Sequence, residues 1–132
     1  MAALSIPVSY GEAVDKITIL EIKRERIRDP AKLANVEKEL GWLSQAFATI
    51  ESNADICDMR ARLRAINERL WDIEEAIREH ERGGDFGAAF VQLARAVYRL
   101  NDDRARTKQS IDVILGSSIR EEKSYVDHDG GK

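Results

Sequence analysis

Arg104 stands where a long amphipathic helix should bury an aliphatic side chain. Val97, Leu100, Ile111 and Ile114 step along one helical stripe, and the same step places Arg104 and Thr107 inside it. A cation in such a seam needs a carboxylate from its own chain or an anion from outside. Two chemistries follow. In one, Arg104 is the guanidinium fork of a pocket for carboxylate or phosphate at one end of a helical bundle. Lys108 then lies one turn on, and Asn101 and Tyr98 flank the stripe. In the other, Arg104 makes a structural salt bridge to Asp15, Asp72 or Glu75, or runs its stem out to a bundle end. A single polar seam position also fixes register and oligomeric state.

Other reactive side chains are sparser. Glu12 completes a capping box with Ser9, with Val8 and Ala13 as a hydrophobic staple, so its place is explained by the helix start. Asp15 and Lys16 are required by no cap and are candidates for ligand contact. Asp72, Glu74 and Glu75 form an acidic stretch that would suit Mg²⁺ or acid–base work. Asp72/Glu75 and Glu12/Asp15 each span one helical turn, as in all-helical nucleotide pyrophosphatases. The Glu-x-x-Glu partner those enzymes use is missing, which favours a solvated face with ion pairs such as Glu74–Arg78. His80 suits the last turn of a helix, and His128 lies far from it in the sequence; the two make neither a metal site nor a triad. There is no phosphate loop and no dinucleotide fingerprint. The lone Cys57 excludes an internal disulfide and a cysteine zinc cage. No metal and no cofactor is expected, and an enzyme is not the favoured reading.

The elements that must position these residues are helices. The chain has 132 residues, 43% apolar and 34% charged, which fits one domain. No window approaches the ~20 apolar residues of a membrane helix, and "MAALSIPVSYGE" lacks the basic-then-apolar pattern of a signal peptide. The expectation is a cytoplasmic protein without membrane insertion. A net charge of −3 argues against a nucleic-acid binder.

Helices are predicted over about 10–28, 30–51, 55–82 and 85–115. The first carries two apolar stripes, Ile17, Leu20 and Ile27, and Ile19 and Ile22, so it should be buried from two sides. Asp29 and Pro30 start the second, whose seam is Leu33, Val36, Leu40, Leu43, Phe47 and Ile50. Ser52, Asn53 and Asp55 compete to cap the third, whose seam runs Ile56, Met59, Leu63, Ile66, Leu70, Ile73 and Ile77 to a left-handed stop at Gly83. Asp85 opens the fourth, with Phe86, Phe90 and Leu93 leading into the Arg104 stripe, and Gly116 closes it. Residues 117–125 should fold back on the bundle through Ile119 and Tyr125, and 126–132 should fray. The fold class is all-α: an elongated antiparallel four-helix bundle of two helical hairpins. Helices three and four outrun one and two, and the uncovered ends predict a homodimer.

"GEAVDKITILEIKRERI", "NERLWDIEEAI", "DFGAAFVQLARAVYRLNDDRARTKQSI" and "IREEKSY" together resemble the successive blocks of an uncharacterised bacterial family of short helical proteins. The resemblance spans Ile6 to Tyr125. Its polar signature falls on Gly11, Glu12, Asp15, Lys16 and Lys23, on Asn67, Trp71 and Asp72, and on Arg95, Tyr98, Asn101, Arg104 and Lys108. It ends on Glu121, Glu122, Lys123 and Tyr125. Glu75 replaces an expected Asp and Ala96 an expected Ser. The resemblance implies association with glycosyltransferases of surface-glycan loci, and it carries no catalytic residue over. Helical chorismate mutases offer only an analogy of style, Arg and Lys holding a dicarboxylate between helices. The sequence therefore leads to a non-enzymatic interaction or accessory module with a glycosyltransferase-type partner. The alternative is a small-anion or sugar-nucleotide binding protein or enzyme using Arg104, Lys108, Asn101, Tyr98, Asp15 and Lys16.

Overall fold

A computed structural model describes residues 2–48, 54–119 and 122–123. These form four helices, α1 (Tyr10–Arg26), α2 (Pro30–Phe47), α3 (Ala54–Gly83) and α4 (Ala88–Leu115), with no strand among the described residues. The helix starts follow local chemistry. Ser9 Oγ accepts from the Glu12 backbone N–H, and the Asp29 carboxylate accepts from that of Lys32, with Pro30 in the first turn of α2.

The α3–α4 turn differs from the prediction. The left-handed residue is Gly84 (φ 66°), and Gly83 stays helical. Asp85 lies in the link, where its carboxylate accepts from the Gly87 N–H at 3.1 Å. That local turn occupies the side chain that would have capped α4, so the helix opens three residues later, behind Gly87. Gly116 (φ 67°) closes α4.

The helices make an all-α bundle of two hairpins, α1–α2 and α3–α4. α1 is its axis: it packs on α2, α3 and α4, whereas α2 lies along α1. Separate faces of α1 make these contacts. Ile17 and Leu20 pack with Val36 and Leu40 of α2, while Val14 packs with Ile56 and Leu63 of α3 and Ile111 of α4. Phe47, at the end of α2, touches both clusters. Ile50, Ser52 and Asn53 lie outside the described residues.

At 1.5 Å per residue the 30-residue α3 is about 45 Å long and the 17-residue α1 about 26 Å. The difference appears as a two-helix arm in which Ile73 and Ile77 pack against Leu93, Ala96 and Val97. At its tip Phe86 is exposed and meets Phe90 edge-on at 5.1 Å.

Two apolar residues near the C-terminus lie towards the surface. Ile114 is exposed, and Leu115 takes the inward position after Ile111. A 3,4 spacing averages 3.5 residues per turn and drifts from the 3.6 of a straight helix. Ile119 is 43% exposed; the buried group in this segment is Ser117, whose hydroxyl donates to the Ile119 carbonyl at 2.7 Å. Tyr125 and residues 126–132, with His128, lie outside the described residues.

Candidate functional site

The polar residues of interest form a ladder between antiparallel α1 and α4. Its first rung is set by Gly11. A Cβ built there would lie 2.3 Å from the Lys108 carbonyl oxygen, a distance that only glycine permits. The close approach brings the Asp112 carboxylate onto the first turn of α1, where it accepts from the Gly11 N–H at 2.7 Å. Asp112 is fully buried. An anion at a helix N-terminus is stabilised by the unpaired N–H groups and the helix dipole. One turn back along α4, the buried Lys108 reaches Glu12 at 2.7 Å. Glu12 therefore serves two ends, its N–H capped by Ser9 and its carboxylate paired with Lys108.

The next rung holds Arg104. Its Nε donates to Asp15 Oδ1 at 2.9 Å, and its Nη2 donates to Oδ2 at 2.5 Å. This is the fork-on-fork geometry in which guanidinium and carboxylate match best. Asp15 is 1% exposed and the Arg104 side chain 28%. Asn67 of α3 closes the network: its amide donates to Asp15 Oδ1 and to Thr18 Oγ1, both at 2.9 Å. The Thr18 hydroxyl donates in turn to the Asp15 carbonyl at 2.7 Å. Arg104 Nη1 faces Asn101 Oδ1 at 3.5 Å. Thr107, the second polar seam residue, is buried and donates its hydroxyl to the Asp103 carbonyl at 2.8 Å, within its own helix. A buried carboxylate thus meets both its charge and its lone pairs from the same chain, the condition under which a buried ion pair is tolerated.

A cleft of about 250 Å³ opens beside the network, lined by Ile19, Ile22, Leu70, Trp71, Glu74 and Asn101 together with Asn67 and Arg104. Its one guanidinium is the one engaged by Asp15.

The structure brings Asp15, Asn101 and Arg104 together and sets Lys108 one turn away. It does not bring Lys16 or Tyr98 to them. Lys16 points to α2, where it pairs with Glu39 at 2.9 Å. Tyr98 is half exposed, with the Arg99 guanidinium 5.9 Å above its ring. The acidic stretch of α3 is engaged in other ways. Asp72 pairs with Arg26, and Glu75 accepts from the Trp71 indole N–H at 2.9 Å. Hydrogen bonding to Asp72 holds the Arg26 guanidinium above its ordinary value. Among the described residues no group of three His, Cys, Asp or Glu is placed to hold a metal ion. No described helix is long and apolar enough to cross a membrane.

Thr18 and Asp112 were not legible as part of this network, and Asn67 entered only through the family resemblance. Asn67 sits between Ile66 and Leu70 where neither a cap nor a turn would call for it, which is the one sequence signal of its role.

The model of a family of unknown function, DUF6165, matches residues 4–128. No curated protein and no solved structure matches the chain.

Proposed function

We propose that this chain, which belongs to that family of unknown function, is a non-enzymatic helical interaction module. In this reading it is an accessory protein of the bacterial cytoplasm that pairs with a glycosyltransferase-type enzyme of surface-glycan assembly. The observation that supports it is the Asp15–Arg104 fork. The cation that would have served an anionic substrate already has its counter-ion in α1, with Asn67 completing the shell. The long α3–α4 arm, uncovered by α1, supplies contact surface instead. The glycan assignment rests on the family resemblance alone.

The chain acts as a homodimer in this proposal. The suited face is the groove between residues 3–8 and the α1–α2 hairpin, where Leu4, Ile6, Val8 and Trp42 are exposed. The charges along it, Glu12, Lys16, Lys38 and Glu39, balance, so two copies do not repel there.

Tagged full-length protein purified from the organism that encodes it should retain a glycosyltransferase in stoichiometric amount through a salt wash. Recovery of the chain alone would refute the proposed pairing. The second reading, a small-anion or sugar-nucleotide binder, draws on the cleft beside Arg104. Saturable binding of a sugar nucleotide, lost on Trp71→Ala, would favour it.

A further inference from the structure

The basic side chains on the inner faces of the molecule meet acids. Arg24 faces Glu37, Arg26 pairs with Asp72, and Arg60 and Arg64 pair with Glu21 and Glu25. The outer face of the α3–α4 hairpin, turned away from α1, is different. Two adjoining hollows of about 580 and 710 Å³ share Arg69, Leu100 and Asp103 and so form one groove along the hairpin. Neither α1 nor α2 contributes to its walls. Arg62 and Arg69 stand on the α3 rim, and Arg99 and Arg106 on the α4 rim. Among the described residues Asp103 is the one carboxylate lining it, and it pairs with Arg106. Arg62 and Arg69 make no ion pair among the described residues. Between the rims the floor is apolar and low, with Ala65 and Ile66 opposite Ala96 and Leu100.

From this asymmetry we propose that the groove is the docking site for an acidic amphipathic helix of a partner protein. The proposal rests on the interaction-module reading and names where and what the module binds. Seven residues separate the two arginines on each rim, about 10 Å along each helix axis. A helix laid in the seam presents same-face residues at that same repeat, so two turns of its flanks can offer carboxylates to Arg62, Arg69 and Arg99, while Arg106 stays paired with Asp103. The alanines of the floor let its apolar stripe approach. The groove suits a helix better than a polyanion, because Asp103 lies in its middle and the chain is acidic overall. It also suits a foreign helix better than a second copy, because a groove-to-groove dimer sets arginine rims against each other.

The test uses the full chain in its own cells, with the photoreactive residue p-benzoylphenylalanine placed in the groove at Ala65 or on the outer side of α2 at Ala34. Both alanines are exposed. After irradiation the crosslinked peptides are sequenced by mass spectrometry. The expected result is a crosslink from position 65 to a segment with an apolar stripe flanked by Asp and Glu. Its yield should fall at least about tenfold in the Arg62→Glu/Arg69→Glu variant. That variant should melt as the parent does, since neither arginine holds an ion pair. A crosslink from 65 to a basic or charge-poor segment, to nucleic acid or to a second copy would overturn the proposal, as would a yield indifferent to the charge reversal. Crosslinks from 34 alone would overturn the groove and leave the interaction reading standing. Silence at both positions would overturn both.

Discussion

Arg104→Leu separates a structural arginine from a ligand-binding one. The substitution restores the apolar stripe of α4 but removes three of the donated hydrogen bonds around Asp15. Asp15 is 1% exposed and keeps only Asn67 as a side-chain donor among its described contacts. Stripping one partner from a buried pair costs about 3–5 kcal/mol. The cost falls on Asp15 rather than on Arg104, whose own partial exposure would let it turn outward. An unfolding entropy near 2.1 cal/mol/K per residue over 132 residues makes each kcal/mol worth about 3.6 °C. The mutant should therefore melt about 11–18 °C below wild type, by calorimetry or circular dichroism. Phosphate or citrate should leave the wild-type melting temperature unmoved. A binder with ligand at a hundredfold excess over Kd would gain about 2.7 kcal/mol, or about 10 °C. A mutant as stable as wild type, together with an anion-induced rise in the wild type, would make Arg104 a ligand-binding residue instead.

Three further outcomes follow from the packing. Gly11→Ala forces a methyl against the Lys108 carbonyl, a backbone atom that cannot step aside, and should cost about 1–3 kcal/mol in urea unfolding. Gly41→Ala, in α2 with open space around it, should stabilise by about 0.5–1 kcal/mol, and equal effects at the two glycines would contradict the close approach. Asp112→Ala strands the buried Gly11 N–H and should cost about 1–3 kcal/mol, with faster amide exchange in the first turn of α1; unchanged exchange there would remove Asp112 as its cap. Light scattering at micromolar concentration should give about twice the 14.9 kDa chain mass, and a value near 15 kDa would end the dimer.

Much of the fold could be read from spacing alone. The seams of α2 and α3 are buried where their 3,4 steps place them, from Val36 and Leu40 to Leu63, Ile66, Leu70 and Ile73. The double stripe of α1 pointed to burial from two sides, and the helix packs on three others. Asp15 was one of three carboxylates that could have met Arg104, because periodicity gives each residue's angle on its own helix and not the offset between helices. The same limit hid the Gly11–Lys108 contact and the Asp112 cap, which depend on how closely α1 and α4 approach. Tyr98 shows the angular error directly. Six residues before Arg104 it lies about 120° around the helix, on another face. The α3–α4 turn lies one glycine, and the α4 start three residues, beyond where the spacing puts them, because Asp85 bonds locally instead of capping.

Asp15 and Arg104 face each other as a buried ion pair across the α1–α4 interface. A double-mutant cycle of Asp15→Leu and Arg104→Leu, read by urea unfolding, measures that coupling directly. The double mutant should be more stable than Arg104→Leu alone, with a coupling energy of about 2 kcal/mol or more, because paired apolar residues remove the stranded charge. Strictly additive losses would show that the two side chains are not coupled.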